Sequence, residues 1–124
     1  MLARYTMYRG KRPASDPLPD GIRQDTRKHT RHCLRPTREM VVRYLAEPAS
    51  YPWREFKRDY LRLLRERYVD ARPFDELAEL AAETDVYIGC SCPTKKNPDV
   101  SHCHTVLALG FMREHYPGLP VRFP

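Results

Sequence analysis

The chain has 124 residues, one domain's worth, and at that size folding removes about two thirds of the unfolded chain's surface from water. Leu, Ile, Val and Phe number 25, so the eight Tyr, four Met and one Trp have to complete the core. No apolar run approaches the roughly 18 residues of a membrane span, and the opening residues lack the apolar stretch of a secretory signal, which argues against a membrane partner and predicts a cytoplasmic protein.

The net charge of +6 is uneven: residues up to Arg43 carry +7 and the remainder −1. Arg outnumbers Lys 17 to 5, and the planar guanidinium pairs bidentately with phosphate or carboxylate. An anionic partner follows, either a small ligand or a nucleic acid bound by the basic N-terminal third; a plain solvated basic surface is the competing explanation.

Leu2 to Tyr8 reads as a first strand, closed by Gly10 and Pro13. Pro13 to Gly21, with three prolines besides its glycine, reads as loop, and Ile22 to Thr26 as a short strand. Residues Arg27 to Cys33 have no hydrophobic periodicity and predict a surface loop able to carry function. Pro36-Thr37 opens a helix with an apolar stripe of Met40, Val41, Tyr44 and Leu45, stopped by Pro48.

The strongest helix runs from Pro52 to about Tyr68. Trp53, Phe56, Tyr60 and Leu64 recur on one face, all assigned to core, and Ser50 is the candidate N-cap. A third helix begins near Pro73 with Phe74, Leu77 and Leu80 inward. Asp85 to Cys90 is nearly continuously apolar, as a buried parallel strand would be. A polar loop from Thr94 to Ser101 leads to a helix over His102 to Tyr116, ended by Pro117-Gly118, and Val121 and Phe123 suggest a last short strand. Together these elements predict a single α/β domain over residues 1–124, with a small, largely parallel sheet flanked by helices in Rossmann-like layering.

Three of the four cysteines fall within 14 positions: Cys90, Cys92 and Cys103, the last flanked by His102 and His104. A C-x-C followed by C-H offers Cys90, Cys92, Cys103 and His104 as a tetrahedral set, for which zinc is the implied metal. A thiol reading competes: Cys103, in the first turn of the last helix, gains from the positive end of the helix dipole, with His104 to assist it as a catalytic pair. That reading makes Cys103 the most reactive thiol, with Cys90 shielded and Cys33 exposed but ordinary. Simple packing of buried thiols is the third reading. If Ile22 to Thr26 and Val86 to Cys90 are parallel strands of one sheet, their C-terminal ends share one edge, where open α/β sheets place ligands. Arg27, Lys28 and Arg31 would then line an anion pocket, and His29, His32 or Cys33 would be placed to complete a metal site.

The motif order resembles the YeaO-like family, domain of unknown function 488. The likeness rests on Gly21-Ile22-Arg23-Gln24-Asp25, Arg35-Pro36-Thr37, Trp53-Arg54-Glu55-Phe56 with Leu64 to Tyr68, then Val86 to Cys92 and Cys103-His104, spanning roughly residues 20 to 115. The resemblance implies a compact α/β fold in a bacterial or archaeal cytoplasm and a candidate site, with no reaction attached. Where the family commonly reads C-H-R, this chain has Thr105, which takes a guanidinium from the helix start; Lys95 and Lys96 stand in a loop longer than the family's. Arg38 replaces an aromatic residue after the Pro-Thr pair.

Overall fold

The computed structural model describes all 124 residues. Three strands, β1 (Leu2–Thr6), β2 (Ile22–Asp25) and β3 (Val86–Cys90), form a fully parallel sheet in the order β1-β3-β2. Four helices accompany it: α1 (Arg38–Ala46), α2 (Trp53–Arg67), α3 (Arg72–Glu83) and α4 (His104–His115). The most apolar segment takes the centre because β3 alone has neighbours on both sides, with Val86 opposite both Leu2 and Ile22. The expected α/β architecture is therefore present, and no helix is long and apolar enough to cross a membrane.

Two glycines permit close approaches. Gly21 has φ of +141°, and a Cβ there would lie 2.6 Å from the Asp85 carbonyl oxygen, so only glycine admits β2 beside β3 at this point. Gly89 lies under the Tyr5 ring and the Met7 sulfur, each 2.7 Å from where a Cβ would sit.

The core is where the helical stripes meet: Tyr60 and Leu64 of α2, Phe74 of α3, and Leu109 and Met112 of α4 are all essentially inaccessible to water. Tyr68, Phe74 and Phe111 add ring contacts at centroid separations of 5.3 to 5.6 Å. The Tyr60 hydroxyl donates to the Leu34 carbonyl at 2.6 Å, and Arg67 donates to the carbonyls of Cys33 and Arg35. The segment after β2 is thus fastened to α2, with Leu34 and Pro36 buried, and only its Arg27–Arg31 part behaves as the surface loop expected.

Several boundaries differ from expectation. β1 ends at Thr6, because Tyr8 leaves the ladder to donate to Asp16. The N-cap of α2 is Pro52, with no side-chain cap; Ser50 instead donates to Glu47 in the preceding turn. α4 begins at His104, two residues late, since Asn97 and Asp99 hold His102 in the loop. Val121 makes an isolated bridge to Leu2, and Phe123 joins no strand but packs beneath the Arg113 guanidinium.

Candidate metal centre and its cleft

The C-terminal end of β3 opens into a cleft of about 770 Å³. Cys90 ends the strand, Cys92 follows the turn, and Cys103 is the N-cap of α4; their three Sγ atoms all lie within 4.8 Å of one another. The turn is fixed by hydrogen bonds to the Cys92 carbonyl from Arg4 at 2.7 Å and from the Thr6 hydroxyl at 3.0 Å. This explains why the sulfurs meet although strand geometry stops at Cys90: β1 pulls the Cys92 backbone back over its own last residue.

Polar groups point at the sulfurs. The buried Asn97 amide donates to Cys92 Sγ at 3.4 Å and to the His102 carbonyl at 2.7 Å. Thr105 Oγ1 donates to Cys103 Sγ at 3.1 Å and itself accepts from Arg4 Nε at 2.9 Å. Arg4 of β1 thus brings a guanidinium to within one hydroxyl of the sulfur. Hydrogen bonding from Cys103, then from Cys90, holds the Cys92 thiol far below the ordinary thiol range. The same contacts, first with Cys103 and then with Cys92, drive Cys90 far up.

His104 is 5% exposed, edge-on to Tyr60, and burial holds its imidazole near 4, hence neutral at pH 7. Its tautomer follows from counting protons. Thr26 Oγ1 donates its only hydrogen to the Gly89 carbonyl at 3.0 Å, so the Nε2–H of His104, 2.9 Å away, must be the donor to Thr26 Oγ1. Nδ1 is left unprotonated, 4.0 Å from Cys103 Sγ. The three sulfurs form the mutual cluster, and His104 adjoins it through Cys103.

The sulfur set fits a metal. Tetrahedral zinc with thiolates at its usual bond length needs sulfurs about 3.8 Å apart, inside the 4.8 Å that bounds all three separations here, and N–H and O–H donors to the sulfurs are the support such ligands receive. All three cysteines line the cleft, so an ion bound there is reachable by a ligand.

The remaining expectations divide. Arg27 and Lys28 line the cleft, but Arg31 does not, because the loop folds back through the Thr30 hydroxyl onto the Arg27 carbonyl. Arg27 is clamped by Asp25 through Nε at 3.0 Å and Nη2 at 2.9 Å. His29 faces Asp25, while His32 and Cys33 line a separate cavity of about 300 Å³ beside α3. None of these three joins the sulfur cluster. Cys33 is half-buried and not exposed, its thiol pushed up to about 11 by burial. Cys103 does not stand in the first turn as an accessible thiol: it precedes the helix and is 2% exposed.

Trp53 and Phe56, expected as core only, also form the cleft wall with Tyr44. Trp53 stacks on Phe56 at 5.3 Å and on His102 at 4.9 Å. Arg4, Thr26 and Asn97 escaped the sequence reading, since their partners lie elsewhere in the chain or are single loop contacts with no motif. Trp53 offered one signal, as the only tryptophan, at a helix's first turn. No protein-family model, curated protein or solved structure matches this chain.

Proposed function

We propose that the protein is a metal-thiolate protein in which Cys90, Cys92 and Cys103 hold zinc and the cleft above them receives a small anionic ligand. The observation that carries this reading is the convergence of three sulfurs to within 4.8 Å at the floor of a cleft with no lining carboxylate. A zinc ion bound by three thiolates supplies Lewis acidity at its remaining position. Arg4 and Thr6 hold the turn, Asn97 and Thr105 orient two of the sulfurs, and Thr26 fixes His104 with its Nδ1 free as a proton acceptor or fourth ligand. The resemblance to the YeaO-like family belongs to the same proposal, supported by motif order.

The test is elemental analysis of protein purified without chelator or added metal. About one equivalent of zinc is expected, falling below about a tenth in Cys92→Ser, and cobalt substitution should give a thiolate charge-transfer band. Wild-type protein holding less than about a tenth of an equivalent of any transition metal, and taking up none on titration, would overturn the reading.

One observation favours a second reading, a metal-free thiol site: the unprotonated His104 Nδ1 stands 4.0 Å from Cys103 Sγ. Metal-free protein whose cluster cysteines alkylate faster than Cys33 would support it. Nucleic-acid binding by the basic third is disfavoured by its own arginines. Arg4, Arg12, Arg23, Arg27 and Arg35, five of its nine arginines, spend donors on this chain.

A further inference from the structure

The cleft has two unlike walls. Arg9, Arg27, Lys28, Lys95 and Lys96 bring five cations to it. Of these, Arg9, Lys28, Lys95 and Lys96 have no carboxylate within 4.0 Å; Arg27 is paired with Asp25 and leaves Nη1 turned toward Ser91, and His102, also of the cleft, lies 3.8 Å from Asp99. The four cations with no carboxylate beside them repel one another around one concavity, and an anion entering the cleft relieves that repulsion.

The facing wall is aromatic. Tyr44, Trp53 and Phe56 lie within 5.3 to 5.8 Å of one another, with Val41 and Leu45 of α1 beside them. The His102 imidazole lies on the Trp53 indole, nearly parallel at 16°, so a base reaching this face of the indole takes the place that His102 holds. A simple anion would leave the rings in water, and a purely aromatic ligand would leave the cations unpaired. The volume of about 770 Å³ falls within the range of small-molecule sites.

From these two walls we infer that the ligand of the cleft is a mononucleotide, with its base against the Tyr44–Trp53 wall and its phosphate among Lys28, Lys95 and Lys96. The inference rests on the metal-site reading for the floor of the cleft alone, and it names the ligand class that reading leaves open. Base stacking and phosphate pairing act on separate groups of one molecule, so neither half of the nucleotide should bind well alone.

The experiment is a titration of the protein as purified, with zinc content measured on the same batch. Trp53 is the only tryptophan, so its fluorescence reports the cleft wall directly. AMP and UMP are compared with adenosine, ribose 5-phosphate and inorganic phosphate, each checked by calorimetry. At least one nucleotide should quench Trp53 saturably, and all three fragments should bind at least about tenfold more weakly. The doubly substituted Lys95→Ala, Lys96→Ala protein, changed only at exposed loop positions, should bind the nucleotide about tenfold more weakly, with a lower salt dependence. Trp53→Leu should weaken nucleotide but not phosphate binding in calorimetry. Failure of both nucleotides to bind below about 1 mM, ribose 5-phosphate binding as well as AMP and UMP, or unchanged affinity in the double lysine variant would each overturn the inference. Zinc-replete protein that binds no nucleotide would sink this inference alone; zinc-free protein that takes up no metal on titration yet binds nucleotide would sink the metal reading alone.

Discussion

The two ends of β3 are held by different physics. At the Val86 end, Leu2, Val86 and Ala81 are wholly buried and the backbone pairs with Met1 and Pro120, so apolar burial and ladder bonds close the molecule. At the Cys90 end the groups buried are thiols, an imidazole, hydroxyls and an amide, and no buried side-chain nitrogen or oxygen lacks a hydrogen-bond partner. Burying polar groups costs several kcal/mol where partners fail, so this end depends on its hydrogen bonds being complete. The closed end stabilises the fold; the open end uses that stability to hold sulfurs and an oriented imidazole in place.

Breaking the closed side should have the largest effect. Phe74→Ala, which strips contacts to Tyr68 and Phe111, should cost about 3 to 5 kcal/mol in urea unfolding. That loss should be the same with and without chelator, because Phe74 shares no partner with the sulfurs. A loss that shrinks on metal removal would mean that the two ends are one cooperative unit.

The next effect is pH dependence on the α3 side of the molecule. Burial lowers His32 to about 4; the carboxylate of Asp25 opposes this, and Arg35 and Arg67 reinforce it. Its Nδ1 accepts from the Leu34 N–H at 3.1 Å, so Nε2–H donates to Gln24 at 2.6 Å, and protonation destroys the first of these bonds. The folded-state value lies below the ordinary 6.5, so the unfolded chain binds the proton more readily. Stability is fully present above pH about 6.5 and is lost as pH falls toward 4, by up to about 3 kcal/mol. Unfolding titrations of His32→Gln against wild type should differ by that slope; parallel curves would refute the burial assignment.

Changes at the open end should be read in metal affinity before stability. Asn97→Ala removes the donor to Cys92 Sγ and should weaken zinc binding by about 10- to 100-fold in competition with a chromophoric chelator. Unchanged affinity would reduce Asn97 to a loop staple for the His102 carbonyl.

Much of this division was legible in the chain. The apolar run from Val86 to Ile88 marked the central strand because a doubly flanked strand needs no polar face, and the stripe from Phe56 to Leu64 marked α2 because its period is helical. The cysteine cluster was legible because two of its members are neighbours and the third starts a helix. What could not be read depends on contacts across the fold. Arg4 reaches Thr105 and the Cys92 carbonyl only because β1 lies beside β3. Trp53 shares the periodicity of core residues yet is the first residue of α2 and lines the cleft, and periodicity gives the face of a helix but not what covers its end. Arg27 and Arg31 look alike in sequence, and a turn in which both the N–H and the hydroxyl of Thr30 donate to the Arg27 carbonyl lies between the residue that lines the cleft and the one that does not.

The smallest predicted effect concerns the cleft's most loosely held wall. α1 buries only Met40 fully, while Val42 is 48% exposed and Leu45 37%. So little apolar area fixes it that its capping bond, from the Met40 N–H to Thr37 Oγ1 at 3.2 Å, carries a large share of its local stability. Thr37→Ala should cost about 1 kcal/mol, seen as faster amide exchange throughout α1 with exchange in β3 and α4 unchanged. A uniform loss of protection would show that α1 opens only with the whole domain, and the contrast between a closed end and an openable cleft would fail. If the loss is confined to α1, adding the nucleotide that binds Trp53 should restore its protection, because Val41, Tyr44 and Leu45 line the same cleft.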